Sequence, residues 1–129
     1  MSVLKFKLIL IVDDEELILN MLSEVLAEMS ERIVTARNGQ QALETARSEK
    51  PDLIISDIMM PEKTGLELLQ DVRNDEKLVD VPFILLTVKD STRDLLNGYS
   101  KGADYYLPKP FDYKNLCDAI QRAVVVRKK

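Results

Sequence analysis

Residues 8–16 read Leu-Ile-Leu-Ile-Val-Asp-Asp-Glu-Glu, an unbroken apolar run that stops abruptly at acids. A strand covered by helices on both faces carries such a run, because neither face alternates with solvent. Four further short runs follow the same rule: Ile33 to Thr35, Leu53 to Ser56, Phe83 to Leu86 and Tyr105 to Leu107. Between them the apolar residues switch to helical spacing, with stripes at Ile18, Met21, Leu22, Val25 and Met29, at Ala42, Leu43 and Ala46, and at Leu66, Leu69 and Val72. A fourth helix is expected near Thr92 to Lys101. A last one is expected over Tyr113 to Arg127, where Leu116, Ala119, Ile120, Ala123 and Val124 keep the spacing. Asn38-Gly39, Gly65, Gly98 and Gly102 read as punctuation between these segments, and Pro51, Pro61, Pro82, Pro108 and Pro110 all avoid helix interiors.

Strands and helices that alternate in this way predict the α/β class. Right-handed crossovers then place helices on both faces of a parallel sheet. The expected architecture is a three-layer doubly wound (βα)5 fold with five parallel strands in the order 2-1-3-4-5, the flavodoxin-like arrangement, as one domain over residues 1–129. At 129 residues, 46% of them hydrophobic, the chain has enough apolar side chain for one sizeable core. A net charge of −4 supplies no positive field for nucleic acid or anionic lipid, which argues against direct binding of either. The run at Leu8 to Val12 is too short for a signal or a membrane span, and the lone Cys117 has no partner for an intramolecular disulfide. A reducing, cytoplasmic setting is expected, with Cys117 as a small core residue. With no histidine in the sequence, Ser-His-Asp and Cys-His mechanisms, His-liganded metals and a phosphohistidine donor role are all excluded. The closing Arg127-Lys128-Lys129 reads as a solvated basic end.

In an open α/β sheet, ligands bind beyond the carboxyl ends of the strands at the topological switch point, here between strands 1 and 3. Strand 1 ends in Asp13, Asp14, Glu15 and Glu16, and strand 3 ends in Asp57. Acids that close repel unless a cation or proton intervenes, and oxygen ligands without His or thiolate favour Mg²⁺. Strand 4 ends in Thr87, a hydroxyl donor, and strand 5 runs into Lys109, a point cation suited to phosphate. The set fits phosphoryl transfer, with Asp57 as the nucleophile that forms an aspartyl phosphate.

Ile11-Val12-Asp13-Asp14-Glu15, Ser56-Asp57-Ile58-Met59-Met60-Pro61, Gly65, Thr87 and Lys109-Pro110-Phe111, in this order at successive strand ends, resemble the response-regulator receiver domain along essentially the whole chain. The resemblance implies that Asp57 is phosphorylated, that Asp14, Asp57 and the backbone carbonyl of Met59 bind Mg²⁺ directly, and that Asp13 orients metal-bound water. It implies that Lys109 contacts the phosphoryl group and that its bond to Pro110 is cis. Thr87 would move toward the phosphoryl group while Tyr106 turns inward, changing the partner preference of the face formed by the fourth helix, strand 5 and the last helix. The implied partners are a histidine kinase or histidine phosphotransfer protein and a downstream effector, with a homodimer on phosphorylation left open. Such a chain is a switch that catalyses its own phosphorylation and dephosphorylation, not a turnover enzyme.

Each residue also has a plainer reading. Asp13 would serve as a helix cap, Thr87 as an ordinary strand residue, and Tyr106 as core. Two departures from the resemblance concern rate. Val88 stands where a small residue is usual and narrows the approach to Asp57. Met59 and Lys89 occupy positions that tune hydrolysis, where an apolar Met59 orients no water and predicts a long-lived phosphoryl group. Rival readings are a flavodoxin-like cofactor binder, disfavoured by the acidic loop after strand 1, and a phosphatase with an Asp nucleophile, disfavoured by Met59 where a second acid would act. A pseudo-receiver that keeps the fold without phosphorylation is a third.

Overall fold

The computed structural model describes residues 5–60, 63–88 and 102–128. In chain order the elements are β1 (Phe6–Val12), α1 (Glu16–Leu26), β2 (Ser30–Ala36), α2 (Gly39–Glu49), β3 (Leu53–Asp57), α3 (Gly65–Arg73), β4 (Phe83–Val88), β5 (Tyr105–Lys109) and α4 (Tyr113–Lys128). The helix expected near Thr92 to Lys101, together with Pro61, Lys89 and Gly98, lies outside the described residues, as does the side chain of Val88.

All five strands are parallel, in the order β2-β1-β3-β4-β5. Successive residues of each strand point to opposite faces, and both faces are apolar, which is why the runs do not alternate. Leu10, Val12, Ile54 and Leu85 pack against Ala42, Leu43 and Ala46 of α2 and Leu68, Leu69 and Val72 of α3. Ile9, Ile11, Ile55, Ile84 and Leu86 pack on the other face against Leu19, Leu22 and Leu26 of α1 and Leu116, Ala119, Ile120 and Ala123 of α4. These are the three layers anticipated above. Cys117 lies half-buried against the second cluster.

Several local expectations are corrected. The α1 stripe is Leu19, Leu22 and Leu26; Met21 is exposed, Ile18 and Val25 are only partly buried, and Met29 is buried beyond the helix end. Gly39 and Gly65 are not punctuation but the first residues of α2 and α3. Their helices are capped one residue earlier. Asn38 Oδ1 accepts the Gln41 N–H at 2.8 Å, and Thr64 and Glu67 form a reciprocal capping box. Arg127 is no solvated end, since its Nε donates to the buried carboxylate of Asp104 at 2.6 Å.

Strand register positions the functional end of the sheet. Val12 pairs with Ala36 and Ser56, Asp57 with Leu86, Thr87 with Pro108 and Val88 with Lys109. The carboxyl ends of β1, β3, β4 and β5 therefore come level. No helix among the described residues is long and apolar enough to cross a membrane.

Candidate functional site

β1 stops at Val12, and the chain turns sharply at Asp13, whose N–H donates to the Ala36 carbonyl at 3.1 Å. This leaves the Asp13 carboxylate pointing inward with no solvent exposure. Its Oδ1 accepts the Glu15 N–H at 2.9 Å. The helix-capping reading of Asp13 is set aside by the position of the cap, which is Glu15 with no side-chain capping bond. Asp14 is exposed beside it, and Asp57 closes β3 with its residue 8% exposed.

Carboxylate oxygens of Asp13, Asp14 and Asp57 lie within 4.8 Å of one another, and they are the acids so grouped among the described residues. Glu16 leaves the group, because its carboxylate is drawn outward to Arg37 at 3.0 Å. Glu15 stays at the rim, 4.0 Å from Lys109. Three hard oxygen donors with no imidazole or thiolate among them suit Mg²⁺, which takes few carboxylates and keeps part of its water shell.

Lys109 reaches back from the end of β5 to both buried acids, with Nζ 3.1 Å from Asp13 Oδ2 and 3.2 Å from Asp57 Oδ1. The Lys109–Pro110 peptide is cis, as the resemblance implied. Burial alone would lower the Lys109 pKa, but Asp57 and Asp13 outweigh it and hold the ammonium above the ordinary lysine value. Asp57 moves the other way. Burial, followed by repulsion from Asp13, pushes its carboxyl from 3.8 up to about 6, against the attraction and hydrogen bond of Lys109 and a hydrogen bond from the Ile58 backbone. A carboxylate held at that cost is poised to gain from any cation or covalent bond that spreads its charge.

Thr87 stands on the strand beside Asp57, one residue past Asp57's register partner Leu86, and is buried. Tyr106 is not at the acids. It pairs with Leu85 and is buried in the core cluster shared with α2 and α3, whereas Tyr105 packs partly against the opposite cluster. Met59 follows the strand and is 66% exposed. The sequence reading missed the support under this loop. The Gly39 N–H donates to the Lys63 carbonyl at 3.0 Å and the Gly65 N–H to the Ile58 carbonyl at 2.8 Å. The only signal was glycine at both positions.

The sequence matches the response regulator receiver domain family over residues 9–121. It is 41% identical over 105 residues to the alkaline phosphatase synthesis transcriptional regulatory protein PhoP of Bacillus subtilis, covering 81% of this chain and 43% of that protein. It is also 41% identical over 110 residues to the phosphate regulon transcriptional regulatory protein PhoB of Pseudomonas aeruginosa, covering 85% of this chain and 48% of that one. The chain thus spans about half the length of these curated relatives. Among solved structures, the chemotaxis response regulator CheY4 of Vibrio cholerae superposes with a TM-score of 0.85 at 34% identity, over 92% of this chain and 99% of that one. The family match begins inside β1 and ends inside α4, so it takes in every strand end that meets the acids, and the chain belongs to the response regulator receiver domains of two-component systems.

Proposed function

We propose that residues 1–129 form one receiver domain that works in the cytoplasm as a phosphorylation switch, taking a phosphoryl group onto Asp57 from a phosphohistidine of a kinase or phosphotransfer protein. The observation that carries this reading is Lys109 Nζ bridging Asp13 and Asp57 at 3.1 and 3.2 Å above a cluster of three acids. An Asp57 carboxylate oxygen attacks phosphorus, the P–N bond to the donor imidazole breaks, and the electron pair stays on that imidazole. Lys109 offsets charge on the phosphoryl oxygens, and the Thr87 hydroxyl donates a hydrogen bond to one of them. Asp14, Asp57 and the Met59 carbonyl would hold Mg²⁺, with Asp13 orienting its water, and the ion when bound neutralises the acids and the incoming phosphate.

Phosphorylation adds roughly two charges and strong acceptors beside Thr87, and the switch follows if those groups are contacted differently in two states. Tyr106 of β5 would turn with the switch, and the face formed by the helix expected near Thr92 to Lys101, β5 and α4 would carry the change to an effector, with a homodimer as one form such an output takes. The domain takes up one phosphoryl group per chain and sheds it slowly, without turning over a substrate pool. Incubation with Mg²⁺ and a small phosphodonor should add the mass of one phosphate, lost in Asp57→Ala. A wild-type chain of unchanged mass would overturn the reading in favour of an unphosphorylated interaction module.

A further inference from the structure

The segment from Ile58 to Thr64 carries Met59 and joins Asp57 to α3. Its two ends are tied by unlike contacts. Gly65 N–H closes one end on the Ile58 carbonyl at 2.8 Å, while Gly39, across the sheet's end at the start of α2, donates to the Lys63 carbonyl at 3.0 Å. That N–H is one of those a helix leaves without an internal partner, and here it is spent on the loop. The approach is close. A Cβ on Gly39 would lie 2.5 Å from the Lys63 carbonyl oxygen and 2.7 Å from Lys63 Cγ, so any side chain forces the two segments apart. The demand is for room and not for an unusual backbone, since the positive-φ glycine among the described residues is Gly102. Lys63 is gripped from the other side as well, its ammonium paired with Asp71 of α3. One residue thus has its carbonyl on α2 and its side chain on α3.

We infer that Gly39 is a positioning residue for the metal site: by letting α2 close on Lys63, it sets where the Met59 carbonyl stands relative to Asp57. The inference rests on the reading of Asp14, Asp57 and Met59 as Mg²⁺ ligands. Gly39 acts through Lys63, which Thr64 joins to Gly65, whose N–H holds the Ile58 carbonyl next to Met59. A substitution there lowers metal affinity while every carboxylate remains in place.

The test titrates Mg²⁺ by calorimetry into the unphosphorylated full chain of wild type, Gly39→Ala, Asp71→Ala and a stability control, Asp52→Ala. Asp52 is a fair control because it accepts the Lys7 N–H at 2.6 Å and the Leu8 N–H at 3.3 Å, bonds at the opposite, amino end of the sheet. Gly39→Ala should weaken Mg²⁺ binding about tenfold, the usual effect of disturbing groups that orient ligands. Its phosphoryl uptake should recover at saturating Mg²⁺, a rescue that general destabilisation would not give. Asp71→Ala should shift the affinity in the same direction by a smaller factor, and Asp52→Ala should lose stability with its affinity unchanged. Wild-type affinity in Gly39→Ala, or an equal loss in Asp52→Ala, overturns the inference. Should Gly39→Ala not fold, Asp71→Ala decides alone, and unchanged affinity there is equally fatal. A wild-type chain that binds Mg²⁺ but takes up no phosphoryl group defeats the proposed function and leaves this inference standing, whereas one that binds no Mg²⁺ overturns the inference.

Discussion

Asp57 must stay charged at a place that disfavours charge. Its carboxyl titrates near 6 in the folded chain, against 3.8 ordinarily, because of burial and then Asp13. Between those two values the folded state binds more protons than the unfolded one, so stability falls as pH rises through the interval. Without metal the cost above pH 6 is about 3 kcal/mol, from the two-unit shift. Asparagine mimics the neutral acid and removes the term. In EDTA, Asp57→Asn should therefore be more stable than wild type by about 2–3 kcal/mol at pH 7.5 and indistinguishable near pH 4, measured as urea midpoints. A less stable variant at pH 7.5 would sink the argument. Met59 bears on hydrolysis of the phosphorylated state. Its exposed thioether offers an attacking water no useful hydrogen bond, so Met59→Asn should speed loss of the phosphoryl group about fivefold, the worth of one orienting bond near 1 kcal/mol. Equal lifetimes in the two proteins would refute this.

At the scale of elements, the carboxyl end of β3 is held close against the start of α3. Gly65 shows how tight. A Cβ there would collide with the Asp57 carbonyl oxygen and stand 3.0 Å from both the Asp57 carbonyl carbon and Ile58 Cα. Gly65→Ala should cost about 2–3 kcal/mol by overpacking and, because the displaced group is the backbone of Asp57, should also slow phosphoryl uptake by the folded protein. Uptake at the wild-type rate per folded molecule would show that the join is only structural. The same glycines mark where sequence stopped being informative. A glycine interrupts a periodic pattern whether it bends the chain or admits a neighbour, so Gly39 and Gly65 looked like turns, and the partners Lys63 and Asp57 that explain them emerge only in three dimensions. Strands and their order were legible because an apolar run flanked by helical stripes admits few topologies. The α1 stripe was not, since Leu17, Ile18, Leu19, Met21, Leu22, Val25 and Leu26 are apolar nearly all round the helix and only packing selects Leu19 and Leu26 over Met21. The acids were legible at Asp13, Asp14 and Asp57, where strand ends converge, but not at Glu16, whose partner Arg37 comes from beyond β2.

Viewed whole, the molecule places charge at both poles of an apolar sheet. The carboxyl pole concentrates acids around one lysine; the amino pole does the opposite. There Asp104, its carboxylate fully buried, sits between two arginines, with Arg73 Nη2 at 2.9 Å and Arg127 Nε at 2.6 Å, and also accepts the Phe83 N–H at 2.8 Å. Arg73 further donates to the carbonyls of Gly102 and Val81 at 3.0 and 2.7 Å, and Arg127 to that of Val79 at 3.2 Å. One carboxylate therefore ties the end of α3, the start of β4, the turn before β5 and the end of α4. Removing it leaves two partly buried guanidinium groups facing each other and a buried N–H without its acceptor, whereas asparagine keeps an acceptor for Phe83. Asp104→Ala should lose about 3–5 kcal/mol, the cost of breaking a buried ion pair from one side, and Asp104→Asn clearly less. Both variants, at temperatures where they remain folded, should bind Mg²⁺ as wild type does, because the sheet separates the two poles. Urea denaturation decides the first point, with a loss below about 1 kcal/mol marking Asp104 as no more than an ordinary surface pair. Weakened Mg²⁺ binding in Asp104→Asn would show instead that the poles communicate through β4 and β5.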